Sequence, residues 1–218
     1  MMHAKADGVN GPGCDESGAA SQTAQAPFPP EGRARLVCGI DEAGRGPLAG
    51  PVTAAAVILP AGFPVGCLAD SKVLTAEQRQ EAAAQIRTHA ISWAVGWAWP
   101  EEIDRINILR ATLVAMARAV RGLCVRPDVL LVDGLYVPRL GISATPIVRG
   151  DATVCEIMAA SIMAKTTRDA WMERYARIEP LYQFDRHKGY PTPEHRRLIE
   201  AHGFSAIHRR SFRVTSCE

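Results

Sequence analysis

Cys38-Gly39-Ile40-Asp41-Glu42-Ala43-Gly44-Arg45-Gly46-Pro47 is a short apolar stretch that ends in two adjacent carboxylates and runs into a glycine-rich turn carrying one arginine. Successive side chains on a strand point to opposite faces, so Asp41 and Glu42 serve one site only where the strand ends and bends. Gly44 and Gly46 supply that bend and let backbone N–H groups approach a ligand closely. Carboxylates beside an arginine and exposed amides suit a cation that holds a phosphate.

Working outward, Leu36 to Asp41 reads as a first strand and Val52 to Leu59 as a second, ended by Pro60. Asp70-Ser71-Lys72 reads as a loop. Thr75 opens a helix to about His89, with Gln78 completing a capping box. Ile91 to Trp99 reads as a third strand, stopped by Pro100. Ile108, Leu109, Thr112, Leu113, Met116 and Val120 fall at helical spacing, and Gly122 closes that helix. Val129 to Val132 and Thr145 to Val148 are further strands. A long helix follows from about Ala152 to Arg177, then a loop between Pro180 and Pro191 and a terminal helix from Pro193 to His202. Three neighbouring strands followed by alternating helices and strands predict an α/β fold: a mixed β-sheet flanked by helices, with a C-terminal helical segment.

Two more acids occupy positions like that of Asp41. Asp133 ends an apolar strand before Gly134, and Asp151 follows a strand and Arg149-Gly150, where it can also cap the long helix. Strand ends of an open α/β sheet converge on one edge. Asp41, Glu42, Asp133 and Asp151 can therefore meet, although each alone also reads as a turn or cap residue. Clustered carboxylates raise each other's pKa unless cations balance them. Oxygen-only donors favour Mg²⁺ or Mn²⁺, and two such ions suit phosphodiester hydrolysis.

The chain has 218 residues, 47% hydrophobic and 22% charged, enough for one globular domain with a sizeable core. Net charge is only +2, but Arg186, Lys188, Arg196, Arg197, Arg209, Arg210 and Arg213 stand against Glu194 and Glu200 near the C-terminus, together with His187, His195, His202 and His208. That segment, about 180–214, suits a polyanion or an ordinary solvated basic face. The six cysteines form neither Cys-x-x-Cys nor zinc spacing, which points to a reducing, cytoplasmic home. No stretch is long enough to span a bilayer. Residues 1–34, rich in Gly, Ala, Ser, Gln and Pro, read as a disordered leader, and residues 35–218 as the folded domain. A monomer is expected.

The chain resembles the ribonuclease HII family from Leu36 through Val214. The resemblance rests on Gly39 through Pro51, Asp70-Ser71-Lys72, Val132-Asp133-Gly134, Arg149-Gly150-Asp151 and Ala159 through Lys165. His187 through Thr192 and His208-Arg209-Arg210-Ser211-Phe212 add to it. It implies a ribonuclease H-like sheet and an endonuclease for RNA–DNA hybrids and for ribonucleotides embedded in duplex DNA. Such an enzyme cuts 5′ of the ribonucleotide and leaves a 5′-phosphate and a 3′-hydroxyl. It further implies Asp41, Glu42, Asp133 and Asp151 as the acids of the metal site. Gly44-Arg45-Gly46 then senses the ribose 2′-hydroxyl, the atom that separates RNA from DNA. Tyr190 packs on the neighbouring sugar, and Lys72, Lys165, His187 and Lys188 are candidate phosphate contacts. Ser161 reads as a helix-packing residue. Arg149, Leu135-Tyr136 and Val73 depart from the common family pattern without removing an acid.

Other readings fit less well. A dinucleotide-binding turn needs different glycine spacing and a following helix, whereas Pro51 to Leu59 reads as strand. Ribonuclease HIII usually carries a large extra N-terminal domain. A binding module built on the basic tail leaves the four acids unexplained, because acids in such a cleft oppose binding without metals.

Overall fold

The computed structural model describes residues 34–68 and 74–214. Lys72 and the Asp70-Ser71 loop lie outside them. Five strands form one sheet in the order β3-β2-β1-β4-β5. They are β1 (Val37–Ala43), β2 (Val52–Ile58), β3 (Ser92–Ala98), β4 (Val129–Asp133) and β5 (Ser143–Ile147). Strands β1, β2 and β3 pair antiparallel, while β4 runs parallel to β1 and β5 parallel to β4. The expected mixed sheet is therefore present.

Alternation along β1 and β2 divides the core between the two faces of the sheet. Cys38, Ile40, Ala54, Ala56 and Ile58 pack with Ala111, Ala115, Leu130 and Val132 on the side of α3 (Ile108–Arg121). Ala55 and Val57 pack with Ile86 of α1 (Ala76–His89) and Ala159, Ile162 and Met163 of α4 (Cys155–Ile178) on the other. Each fully buried Ile or Leu here stabilises by ~1.5–3 kcal/mol. Helix α4 lies so close to β1 that a Cβ on Gly39 would stand 2.0 Å from the Glu156 carbonyl carbon. A third cluster, Trp171, Met172, Tyr182, Phe184 and Ile207, fastens the C-terminal segment to the end of α4.

The structure differs from the sequence expectations at four places. Pro100 stops β3 but also opens a helix, α2 (Pro100–Ile106), because proline at the first helical position has no N–H to waste. The segment after Pro180 is not a plain loop: it holds a 3-10 turn (Pro180–Tyr182) and α5 (Phe184–His187) before α6 (Pro193–His202). Asp151 does not cap α4. It sits in a 3-10 turn (Gly150–Ala152), and Val154 is the residue before the helix. Strand β1 continues past Asp41, because Asp41, Glu42 and Ala43 still pair with Ala55, Ala54 and Thr53; the bend comes at Gly44, at φ 92°.

Candidate active site

The parallel pairing of β1 and β4 sets the site. Ile40 faces Val132 across the ladder, so the next residues, Asp41 near the end of β1 and Asp133 at the end of β4, stand side by side. Asp133 pairs in turn with Ile147 of β5, and the short connection from β5 brings Gly150 and Asp151 to the same edge. The Gly150 N–H donates to Asp133 Oδ1 at 2.7 Å, and the Asp151 N–H reaches the same oxygen at 3.4 Å. Sequence distance is thus closed by strand register and one loop.

Burial and mutual repulsion dominate the electrostatics. Asp41 is 5% exposed and Asp151 6%. Burial pushes the Asp41 carboxyl well above the usual carboxylate range, and the charges of Glu42 and Asp133 push the same way. The Ser161 hydroxyl on α4 and the Glu42 N–H, at 2.7 Å from Oδ1, hold the ionised form against that trend. Burial likewise raises Glu42; Arg45, 3.3 Å away, pulls it back, and Asp133 and Asp151 repel it.

These oxygens fit hard divalent cations by donor chemistry. They are carboxylates only, largely buried, and short of positive charge. Among the described residues no set of three or more His, Cys, Asp or Glu side chains stands arranged to hold an ion as it is. Asp41 and Asp133 instead satisfy nearby backbone N–H groups, and Glu42 turns to Arg45.

The glycine turn lies beside the acids. Tyr190, 39% exposed, faces it: a Cβ on Gly46 would come 3.9 Å from Tyr190 Cε1. Arg168 on α4 stands 5.8 Å from the Tyr190 ring centroid. Gly44, Arg45, Gly46 and Tyr190 are therefore brought together.

The basic side chains behave otherwise. Lys165 is tied to Asp169 at 2.5 Å, and Lys188 to Glu173 at 2.9 Å. Each is already paired with an acid. His187, expected at a phosphate, is buried, and its Nε2–H donates to the Tyr182 carbonyl at 2.8 Å. His195 and His208 are buried as well, with their Nε2 atoms 3.0 Å apart. Only one tautomer set satisfies the contacts. His195 Nδ1–H donates to the Tyr190 carbonyl, so His195 Nε2 accepts from His208, whose Nδ1 accepts from the Ser205 N–H. Three of the four C-terminal histidines thus add packing rather than positive charge. Sequence reading passed over Arg168, gave Ser161 only to helix packing, and placed Arg209 in the basic tail; the pattern Ser-Phe after Arg209-Arg210 marked the neighbourhood but not the burial.

The family model described as Ribonuclease HII matches residues 38–215. A ribonuclease HII of Laribacter hongkongensis is 59% identical over 181 residues, covering 82% of this chain and 91% of its own. That of Nitrosospira multiformis is 55% identical over 176 residues, covering 81% and 88%. The solved ribonuclease H2 of Pyrococcus horikoshii superposes with a TM-score of 0.69 at 26% identity, covering 82% of this chain and 94% of its own. Bst-RNase HIII in complex with Mn²⁺ shares the fold, with a TM-score of 0.61 at 18% identity and coverage of 82% and 67%.

Proposed function

From a chain that belongs to the ribonuclease HII family, and is therefore a metal-dependent nuclease, we propose an endonuclease that reads one ribose in a duplex and cuts on its 5′ side. Its substrates are the RNA strand of RNA–DNA hybrids and ribonucleotides embedded in duplex DNA, and its products end in a 5′-phosphate and a 3′-hydroxyl. Asp41, Glu42, Asp133 and Asp151 are the acids assigned to hold Mg²⁺ or Mn²⁺. Such ions, when bound, orient a nucleophilic water and stabilise the leaving oxygen.

One observation carries this reading: Asp41 and Asp133 stand at neighbouring positions on adjacent parallel strands, beside a glycine turn that faces an exposed tyrosine. Burial of mutually repelling carboxylates without enough cation costs stability, which a divalent ion restores. Gly46 and Tyr190 lie close together, a Cβ on Gly46 coming 3.9 Å from Tyr190 Cε1, so a ribose bound beside the turn meets its backbone and the tyrosine at once. A 2′-hydroxyl accepts from an amide there, whereas deoxyribose leaves the amide unpaired. Lys165 and Lys188 would meet a phosphate while their charges are already shared with Asp169 and Glu173. We further assign the folded domain to residues 35–218 and the working unit to a monomer.

A paired assay tests the proposal. A DNA duplex with one ribonucleotide is expected to be cut in Mg²⁺ or Mn²⁺ and spared in chelator, while the matching all-DNA duplex is spared throughout. Equal cutting of both duplexes would remove the sugar-reading role from Gly44-Arg45-Gly46. Cutting that persists in chelator would remove the metal-site role from the acids.

A further inference from the structure

Arg168 and Arg209 are 1% and 0% exposed, and nothing above gives them work. Arg209 Nε donates to the Gly50 carbonyl at 2.9 Å, Nη1 to those of Arg45 at 2.9 Å and Pro47 at 2.8 Å, and Nη2 to that of Gly44 at 2.6 Å. Arg168 Nε donates to the Pro51 carbonyl at 3.0 Å, Nη2 to that of Ala49 at 3.1 Å, and Nη1 to that of Lys188 at 3.1 Å. Burial and the neighbouring Arg168 charge pull Arg209 down to about 9, still above neutrality, so it keeps its full set of donors at pH 7.

The consequence follows from the trans peptide, in which C=O and the next N–H point opposite ways. With the Gly44 and Arg45 carbonyls drawn inward, the amides of Arg45 and Gly46 are turned away from the guanidinium. Arg168 touches the other half of the site too, through the Lys188 carbonyl and the face of Tyr190. Gly44 has no room for a side chain: its Cβ would lie 2.1 Å from Arg168 Nε.

We propose that Arg168 and Arg209 are positioning residues for sugar readout, aiming the Arg45 and Gly46 amides and seating Tyr190 opposite them. The inference rests on the proposed reading of that turn. Lysine keeps the charge but loses the fork that serves several carbonyls at once.

The test compares Arg168→Lys and Arg209→Lys with the core control Ile103→Val, chosen to lower stability without touching the turn. Duplex affinity is measured in an Asp133→Asn background, so nothing is cut, at a temperature well below every melting point. The readout is the ratio of Kd for all-DNA duplex to Kd for the one-ribonucleotide duplex. We expect that ratio to fall towards one in both lysine variants and to stay unchanged in the control. In the otherwise wild-type protein, kcat/KM on the one-ribonucleotide duplex should fall by ~10- to 100-fold. If the lysine variants do not fold, Phe212→Ala serves. It removes the ring 5.0 Å from Arg209 Cζ, leaves every donor in place, and should lower the same ratio. A folded variant with an undiminished ratio overturns the proposal, even if its turnover drops. A chain with native arginines that shows no preference sinks the sugar-reading site itself, a separate failure.

Discussion

Asp41 carries the sharpest conflict in the molecule: a buried carboxylate flanked by Glu42 and Asp133. Its folded pKa is raised, so its stabilising contribution is full below the unfolded value near 3.9 and is lost as pH rises through the folded one. At pH 8 in chelator, Asp41→Asn should therefore melt higher than the native chain, while Mg²⁺ should raise the native melting temperature and leave the variant unmoved. Calorimetry with and without the ion checks both. Asp133→Asn should cost ~10²- to 10³-fold or more in cleavage rate while duplex binding persists, read by gel cleavage beside a binding titration. The meeting of Asp41, Glu42, Asp133 and Asp151 at one sheet edge was legible in the sequence because apolar runs before Asp41, Asp133 and Asp151 mark strands of one sheet, although β1 runs on past Asp41 and Asp151 sits in a 3-10 turn. The burial of Arg168, Arg209 and His187 was not legible. A buried basic side chain and a solvated one are spelled alike, and only tertiary carbonyls tell them apart.

The segment from α5 to His208 behaves as an element sealed by neutral imidazoles. Burial drives His195 down to about 4 and His208 to about 3, and it lowers His187 as well. For depressed histidines the unfolded chain binds protons first. Their contribution is complete above about pH 6.5 and is lost as pH falls towards the folded values. Near pH 5 the loss is about 2 kcal/mol for each strongly shifted ring. The melting temperature should drop on the order of 10 °C between pH 7 and pH 5, and ring nitrogen shifts should show no protonation of His195 or His208 in the folded protein. Helix α1 offers a milder check. Thr75 accepts from the Gln78 N–H at 3.2 Å while the Gln78 side chain accepts from the Thr75 N–H at 2.9 Å, so Thr75→Ala should cost ~1 kcal/mol by denaturant melt. That capping box was readable because it is local chemistry. Helix α2 escaped notice because a proline at a first helical position looks, in one dimension, like a full stop.

Across the whole molecule, the sheet depends on backbones brought nearly into contact. Gly39→Ala places a methyl 2.0 Å from the backbone of α4, which must move, and Ser161 with it. A loss of about 3 kcal/mol or more in chemical denaturation, with reduced cleavage below the melting point, is the expected result. Helix periodicity and strand alternation made the mixed sheet visible in advance. Strand order, and the long reach of the C-terminal segment across the glycine turn, were not visible, since neither leaves a local pattern. That reach matters during protein synthesis. The Gly44 carbonyl and the Arg209 side chain that holds it are separated by 165 positions. A nascent polypeptide thus emerges with its glycine turn long before the arginine that holds the turn's carbonyls, and, on the role proposed for Arg209, a message truncated ahead of it would yield a product without the aimed amides.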